Sequence, residues 1–379
     1  MSRIALIVPV LSPASGGLAT SVPALARVLY EHGCDAHILG LTDPNNKGAA
    51  WDWGRSVHAH DVIPPVAFGY APDLNRTLRQ LVPKIVHVNG LWVYPSLANL
   101  RHHRLTRTPY VITPHGMLDP WALERSFWKK RLVGFCFEDA HLRSAACLHA
   151  TAEMEAGHFR SFGLRNPVAV VPNGIDLPSL LPDRPASGLR RMLFLSRLHP
   201  KKGIALLLQV WARLEAVYPD WTLVIAGPDE VGHKAEMQAL ANRLGLSRIE
   251  WHSAVQDAAK TALYRSADCF ILPTHAENFG LVVAEALAHE VPVITTRNAP
   301  WEGLIAHGCG WWIALNESEL SNSMSDAMAR PRAELHAMGI RGRAWMGRDF
   351  GWDGVAERMI RLYNWVTHGG VRPNFVEID

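Results

Sequence analysis

The stretch DCFILPTHAENFGLVVAEALAHEVPVITT, residues 268–296, holds a complete strand–loop–helix–strand unit. DCFILPT and VPVITT are short, continuous apolar runs, the pattern of strands buried on both faces. Between them the loop HAEN leads into LVVAEALAHE, whose spacing predicts a helix beginning around Gly280. The unit also raises a question of chemistry. Glu277 lies in the loop and Glu285 about one and a half turns into the helix, flanked by apolar residues. Glu290, at the helix end, reads more simply as a surface acid.

The same alternation extends in both directions. Upstream in the second half, RMLFLSR, WTLVIAGP and RIEWHS read as strands, and CGWWIAL follows downstream. In the first half the strands are RIALIVPV, DAHILGL, KIVHVNG, PYVITPHG, CLHAT and VAVVPNG. Helix-period segments such as SVPALARVLYEHG and GIALLLQVWARLEAVYP separate them. Valine-, isoleucine- and leucine-rich strands with intervening helices predict α/β architecture with parallel sheets, here two doubly wound Rossmann-like domains. The Pro-, Ser- and Asp-rich run at 177–188 has linker composition. The expected domains are therefore 1–180 and 188–350, with a C-terminal helix at about 355–379 packing back on the first.

Composition narrows the function classes. The chain has 379 residues, 48% of them hydrophobic and 19% charged, which describes a compact folded protein of about two domains. A net charge of +3 is too small to argue for nucleic acid, and no nucleic-acid partner is expected. Residues 1–180 carry 17 Lys and Arg against 13 Asp and Glu (+4), and the remainder 21 against 22 (−1). The five cysteines are scattered with no C-x-x-C pair, as expected of free thiols in a reducing cytoplasm. No apolar run approaches the ~18–20 residues of a membrane span. The opening MSRIALIVPV reads as a first buried strand rather than a signal segment. No His, Cys or Asp cluster has metal-ligand spacing, and His102 and His103 read as a polar helix face, so no metal is expected.

In open parallel sheets ligands bind beyond the carboxyl ends of the strands, where helices begin. The first strand exits into SPASGG, where Gly16 and Gly17 precede a helix expected near Thr20. A glycine pair there admits close backbone approach and leaves helix N–H groups for an anion, or is an ordinary turn. The exit of the strand PYVITPHG carries His115, placed to face a ligand or to serve the core. After RMLFLSR, residues Arg197, Lys201 and Lys202 stand before a helix, as a phosphate site or a solvated basic turn. In the opening stretch, free N–H groups from Asn278 to Leu281 suit a phosphate. A carboxylate accepting two hydrogen bonds suits a vicinal diol. One phosphate between two diol acceptors describes a nucleotide-sugar.

With these residues in place the chain resembles the retaining glycosyltransferases of family 4 (GT4), which have the GT-B fold of two Rossmann-like domains facing each other across a cleft. ENFGLVVAE matches that family's E-x7-E signature, and SRLHPKKG its Arg/Lys phosphate loop. The GG loop, PHG and VPNGID support the match in order. The resemblance implies that Arg197 and Lys202 hold the donor diphosphate and that Glu277 binds hydroxyls of the sugar. It implies that Asn278, Phe279, Gly280 and Leu281 contact sugar and phosphate through backbone, and that Glu285 takes the ribose diol. Val255 would sit by the base and His115 would face the transferred sugar. Gly16 and Gly17 would let donor phosphate or acceptor come close. The chain departs from the pattern at RNAPWEGLIAHGCGWW, where Trp301 either narrows the site or braces the loop, and Glu302 receives no role.

The implied reaction retains anomeric configuration by front-face attack, with no protein nucleophile, cofactor or metal, and rests on stabilising the departing diphosphate. MLDPWALERSFWKKRLVGFCFEDAHLR mixes Trp121, Phe127, Trp128, Phe135 and Phe137 with Arg125, Lys129, Lys130 and Arg131. That mixture fits peripheral contact of 121–137 with the cytoplasmic face of a membrane and a lipid-linked glycan acceptor, or a helix with its aromatics in the core. Two rival readings stay open. A nucleotide-sugar epimerase would convert donor without an acceptor. A non-catalytic nucleotide-sugar binding subunit would keep the diol contacts but lose the phosphate-loop cations, which this chain retains.

Overall fold

The structure, a computed structural model, describes residues 2–43, 52–179, 188–229 and 232–378. Most of the expected linker, 180–187, lies outside them. Strands β1 (Arg3–Val8), β2 (Asp35–Leu41), β3 (Val57–His60), β4 (Ile85–Asn89), β5 (Tyr110–Thr113), β6 (Cys147–Ala150) and β7 (Val168–Val170) come first. They are followed by β8 (Arg190–Leu195), β9 (Trp221–Ala226), β10 (Ile249–His252), β11 (Cys269–Leu272), β12 (Val293–Thr296) and β13 (Gly310–Ile313), with β14 (Val376–Glu377) last. The chain divides into two compact units, Met1–Gly174 with Trp352–Asp379, and Ile175–Gly351.

In the first unit the strand order is β14-β7-β6-β5-β4-β1-β2-β3, parallel throughout except for β14, which runs antiparallel to β7. The alternation of β1 shows how both faces are covered. Ile4, Leu6 and Val8 pack on one side with Val22 and Leu29 of the helix Gly17–Glu31 and with Val355, Met359 and Leu362 of the helix Trp352–His368. Ala5 and Ile7 point the other way, among Leu74, Leu78, Tyr94 and Ala98.

Two strands were not read from the sequence, for physical reasons. VHAH of β3 lacks an apolar run, and β14 has two residues. The first helix begins at Gly17, three residues before the expected Thr20, because Gly16 at φ 61 lets Ala19 N–H close the first turn on its carbonyl at 3.1 Å. Gly17 is therefore helical and not part of the loop. The polar-face reading of His102 also fails. Helix Tyr94–Thr106 turns Ser96, Asn99 and His102 inward, and His102 is buried with no hydrogen-bond partner on either ring nitrogen.

The second unit has the all-parallel order β10-β9-β8-β11-β12-β13. Counted within the unit this is 3-2-1-4-5-6, the doubly wound arrangement, and its strand order reverses between β8 and β11. The two loops singled out by motif, 196–203 and 273–280, leave the carboxyl ends of those two neighbouring strands. Each sheet is thus an α/β layer structure, and in the second the switch point is occupied by motif residues.

Candidate functional site

At the β8 exit, a 3-10 turn Pro200–Lys202 precedes the helix Ile204–Leu214, with Gly203 between them in the left-handed region at φ 72. Glycine is required there: a Cβ would lie 2.0 Å from the Pro273 carbonyl oxygen of the β11 exit. That close approach is stitched by His275 N–H to the Lys201 carbonyl at 2.8 Å and by the Thr274 hydroxyl to the same oxygen at 3.2 Å. The consequence is that Lys202 reaches across and its ammonium donates to the Glu277 carboxylate. Their side chains are only 7% and 16% exposed. Burial alone drives the Glu277 carboxyl upward, but Lys202, then Lys201 and Arg197, outweigh it and hold the group below its ordinary value. Arg197 itself is exposed.

The rest of the HAEN loop is fixed from below. Glu277 N–H donates to the Asn298 carbonyl at 2.9 Å. Trp301, 1% exposed, donates from its indole to the Phe279 carbonyl at 2.6 Å and packs against Phe279, Trp345 and Phe350. The sequence left open whether Trp301 narrows the site or braces the loop, and its burial makes it the brace. Phe279, 5% exposed, has its side chain in the core and its carbonyl turned to the Trp301 indole. The helix Leu281–Ala288 then starts after Gly280, at φ 79, where a Cβ would sit 3.0 Å from the Glu277 side chain.

Glu285 lies on that helix with 13% of its side chain exposed. One oxygen accepts from the Lys260 ammonium at 2.5 Å and the other from the Tyr264 hydroxyl at 2.8 Å. Burial and then the facing carboxylate push the Tyr264 hydroxyl well above its ordinary value, so it stays a donor. The two acids of the E-x7-E pattern therefore each hold a separate cation. Glu290 is not the surface acid expected: it is 17% exposed and bonds His336 at 3.3 Å. Val255 is half-buried against the core, just ahead of helix Asp257–Ser266.

The first unit holds Gly16, Gly17 and His115. His115 follows β5 in the left-handed region at φ 52, uncommon for a residue with a side chain. The turn is clamped by Glu155, 2% exposed, which accepts Gly116 N–H at 2.7 Å and Thr151 N–H at 2.9 Å. His115 Nε2 lies 2.9 Å from Asn89 Oδ1 at the end of β4. Burial, with His149 adding to it, lowers the imidazole to about 3. Behind it runs a chain of buried groups: Tyr363, His87, Thr113 and His149, ending on the Val171 carbonyl.

Sequence reasoning missed Lys260, Tyr264, Glu155 and Asn89. Lys260 and Tyr264 are four apart on one helix face, a spacing visible in the sequence. The contacts that tie Glu155 and Asn89 to the PHG turn, with Gly116 and His115, span 39 and 26 residues and leave no local signal. Among the described residues no group of three His, Cys, Asp or Glu side chains gathers as a metal site, and no helix is long and apolar enough to cross a membrane.

Comparison with known proteins identifies the family and the fold. The family Glycosyl transferases group 1 matches residues 184–345, and the family Glycosyl transferase 4-like domain matches residues 16–174. The chain is 25% identical to the phosphatidyl-myo-inositol mannosyltransferase of Mycolicibacterium smegmatis over 386 residues, 98% of this chain and 95% of that protein. It is 28% identical to the D-inositol 3-phosphate glycosyltransferase of Segniliparus rotundus over 261 residues, covering 64% of this chain and little more than half, 56%, of that protein. In fold it is similar to sucrose-phosphate synthase from Thermosynechococcus elongatus, with a TM-score of 0.81 at 20% identity, over 98% of this chain and 100% of that one. Anabaena HepE in complex with UDP and glucose matches with a TM-score of 0.77 at 19% identity, over 96% and 99%. The chain belongs to the GT4 family of glycosyltransferases, and its two parallel-sheet α/β domains are those of the GT-B fold.

Proposed function

We propose that this glycosyltransferase moves a hexose from a UDP- or GDP-sugar to an acceptor hydroxyl with retention of anomeric configuration. The reading rests on one observation. At the β8/β11 switch point an almost buried carboxylate, Glu277, is held ionised by Lys202, with Arg197 and Lys201 close enough to add to the effect. Cations concentrated at a strand end ahead of a helix favour a diphosphate, most of all as negative charge grows on it during departure. Glu277, acceptor-only when ionised, takes sugar hydroxyls, and Glu285 takes the ribose diol. The backbone from Asn278 to Leu281 meets sugar and phosphate, Val255 borders the base, and Gly16 and Gly17 admit donor phosphate or acceptor. His115 is assigned to a hydroxyl of the transferred sugar. No group here is assigned as nucleophile, so the acceptor proton passes to the leaving-group oxygen. Neither metal nor cofactor is assigned a part.

The test is a panel of UDP- and GDP-sugars, scored for release of nucleoside diphosphate with and without acceptor, with the product anomer read by NMR. Consumption of one sugar with the anomeric configuration kept supports the reading. Interconversion of donor without acceptor would identify the rival epimerase. Binding with no turnover would identify the rival binding subunit.

For the acceptor we propose a lipid-linked glycan met at an anionic membrane surface on the cytoplasmic side. The relative from M. smegmatis carries the name phosphatidyl-myo-inositol mannosyltransferase, which includes a lipid. The stretch 121–137 divides between the two sequence readings: Phe137 is buried, while Trp128 is 76% and Phe135 89% exposed, with Leu132 and Phe127 also outward. Lys129 and Arg131 are exposed among them, whereas half-buried Lys130 bonds the Ala122 carbonyl. Apolar rings beside exposed cations complement anionic headgroups. Replacing Trp128, Lys129 and Arg131 together should abolish co-sedimentation with phosphatidylglycerol vesicles; unchanged binding would rule the surface out.

A further inference from the structure

The orientation of His115 is set by a residue the mechanism has not used. Asn89 is 3% exposed, and its amide nitrogen donates to the Ile7 carbonyl at 3.2 Å and the His87 carbonyl at 3.4 Å. Carbonyls only accept, so the amide oxygen is the atom that faces His115, and a carbonyl oxygen there needs a donor. His115 Nε2 must then carry the ring proton. A neutral imidazole has one N–H, which leaves Nδ1 with a lone pair, and among the described residues Nδ1 has no protein partner.

The surroundings keep the ring neutral. The Val171 carbonyl fixes the proton of His149 on Nε2 at 2.7 Å, so His149 Nδ1 accepts from the Thr113 hydroxyl at 2.7 Å. Thr113 in turn accepts from His87 Nε2 at 2.6 Å, and His87 Nδ1 accepts from Tyr363 at 2.7 Å. Every proton in this chain points one way, toward Val171, and both histidines beside His115 have all their ring nitrogens satisfied in the neutral form. On the far side Glu155 is occupied by Gly116 and Thr151 N–H groups. Ser21, Asn89, His115, His149 and Asn173 line a small cavity at this strand edge.

We propose that Asn89 is a positioning residue, which holds His115 as the Nε2–H tautomer so that Nδ1 accepts a hydrogen bond from a hydroxyl of the transferred sugar. This rests on the assignment of His115 to that sugar. The chemistry is selective: an acceptor nitrogen favours a sugar bearing a hydroxyl at that point over its deoxy analogue.

The test begins with the wild-type protein labelled with ¹⁵N-histidine, the His115 signals identified by their loss in His115→Gln. The expected result at pH 7 is a neutral ring protonated at Nε2; an Nδ1–H ring or an imidazolium overturns the inference without any variant at position 89. Asn89→Leu should then give mixed tautomers and lower kcat/KM about tenfold, the scale of one buried hydrogen bond. Adding Asn89→Leu to His115→Ala should cost nothing more, because Asn89 acts only through the ring. A full additional loss in the double variant contradicts that. Wild-type turnover by His115→Ala would instead overturn the assignment of His115 to the sugar, whatever its tautomer.

Discussion

Lys202 and Glu277, 75 residues apart in the chain, form an ion pair with little exposure to water. Each is assigned to a different part of a donor, and in the free protein each holds the other. Breaking a buried pair from one side leaves an uncompensated charge, which costs about 3–5 kcal/mol. Lys202→Ala should therefore destabilise the second unit by roughly 3 kcal/mol, and Lys202→Ala with Glu277→Ala should be no less stable than Lys202→Ala alone. Urea denaturation of the single and double variants measures this directly.

The pH dependence has a defined sign. Glu277 has a folded value below its unfolded one, so its contribution to stability is complete above the ordinary carboxyl value, about 4.3. It is lost as the pH falls through the lower folded value. Glu277→Gln should remove that part of the acid sensitivity below about pH 5 while leaving the slope near neutrality unchanged. Melting curves at stepped pH read the difference.

Histidine acts higher on the scale. His149, buried and neutral, is lowered to about 4, chiefly by burial and despite its bond to the Val171 carbonyl. The unfolded chain takes up a proton at about 6.5 that the folded chain refuses. Stability should thus fall on acidification from about pH 6.5 to about 4, by up to about 1.4 kcal/mol per pH unit. His149→Gln should flatten the profile in that window, measured by the denaturation midpoint.

Trp301 separates bracing from chemistry. Trp301→Phe keeps the rings together but leaves the Phe279 carbonyl without its donor, at a cost of about 1–3 kcal/mol. Because the loop carries Glu277, donor KM should rise with a smaller change in kcat.

How much of this was legible follows from which residues carry it. Strands such as CFIL and RMLFLS announce themselves because burial on both faces demands continuous apolar runs, whereas the two-residue β14 and histidine-rich β3 carry no such demand. Glu277, Lys202 and Glu285 stand out by their positions at strand exits and in a helix start. Their pairing was not legible, because Lys202 meets Glu277 only through the close approach of Gly203 to Pro273, a property of the folded sheet. Asn89 and Glu155 were missed for the same reason, being ordinary residues until β4 and helix Glu153–Ser161 bring them to the PHG turn. The polar reading of His102 failed because helix Tyr94–Thr106 buries polar residues among its inward positions, so polarity was a poor guide to its exposed face.

Tyr264→Phe tests the Glu285 assignment without removing a charge. It strips one donor from the carboxylate and should weaken nucleotide binding about two- to tenfold, with kcat nearly unchanged; titration calorimetry with UDP and GDP gives the number.

The central claim is that a nucleotide-sugar is cleaved at the Lys202–Glu277 pair. Its most direct test is the rate of nucleoside diphosphate release from the donor found in the sugar panel, comparing wild type with Glu277→Ala and Lys202→Ala. Each folded variant should turn over at least about a hundredfold more slowly, the scale on which one charge-stabilising group lowers a transition state. Wild-type turnover in Glu277→Ala would contradict it.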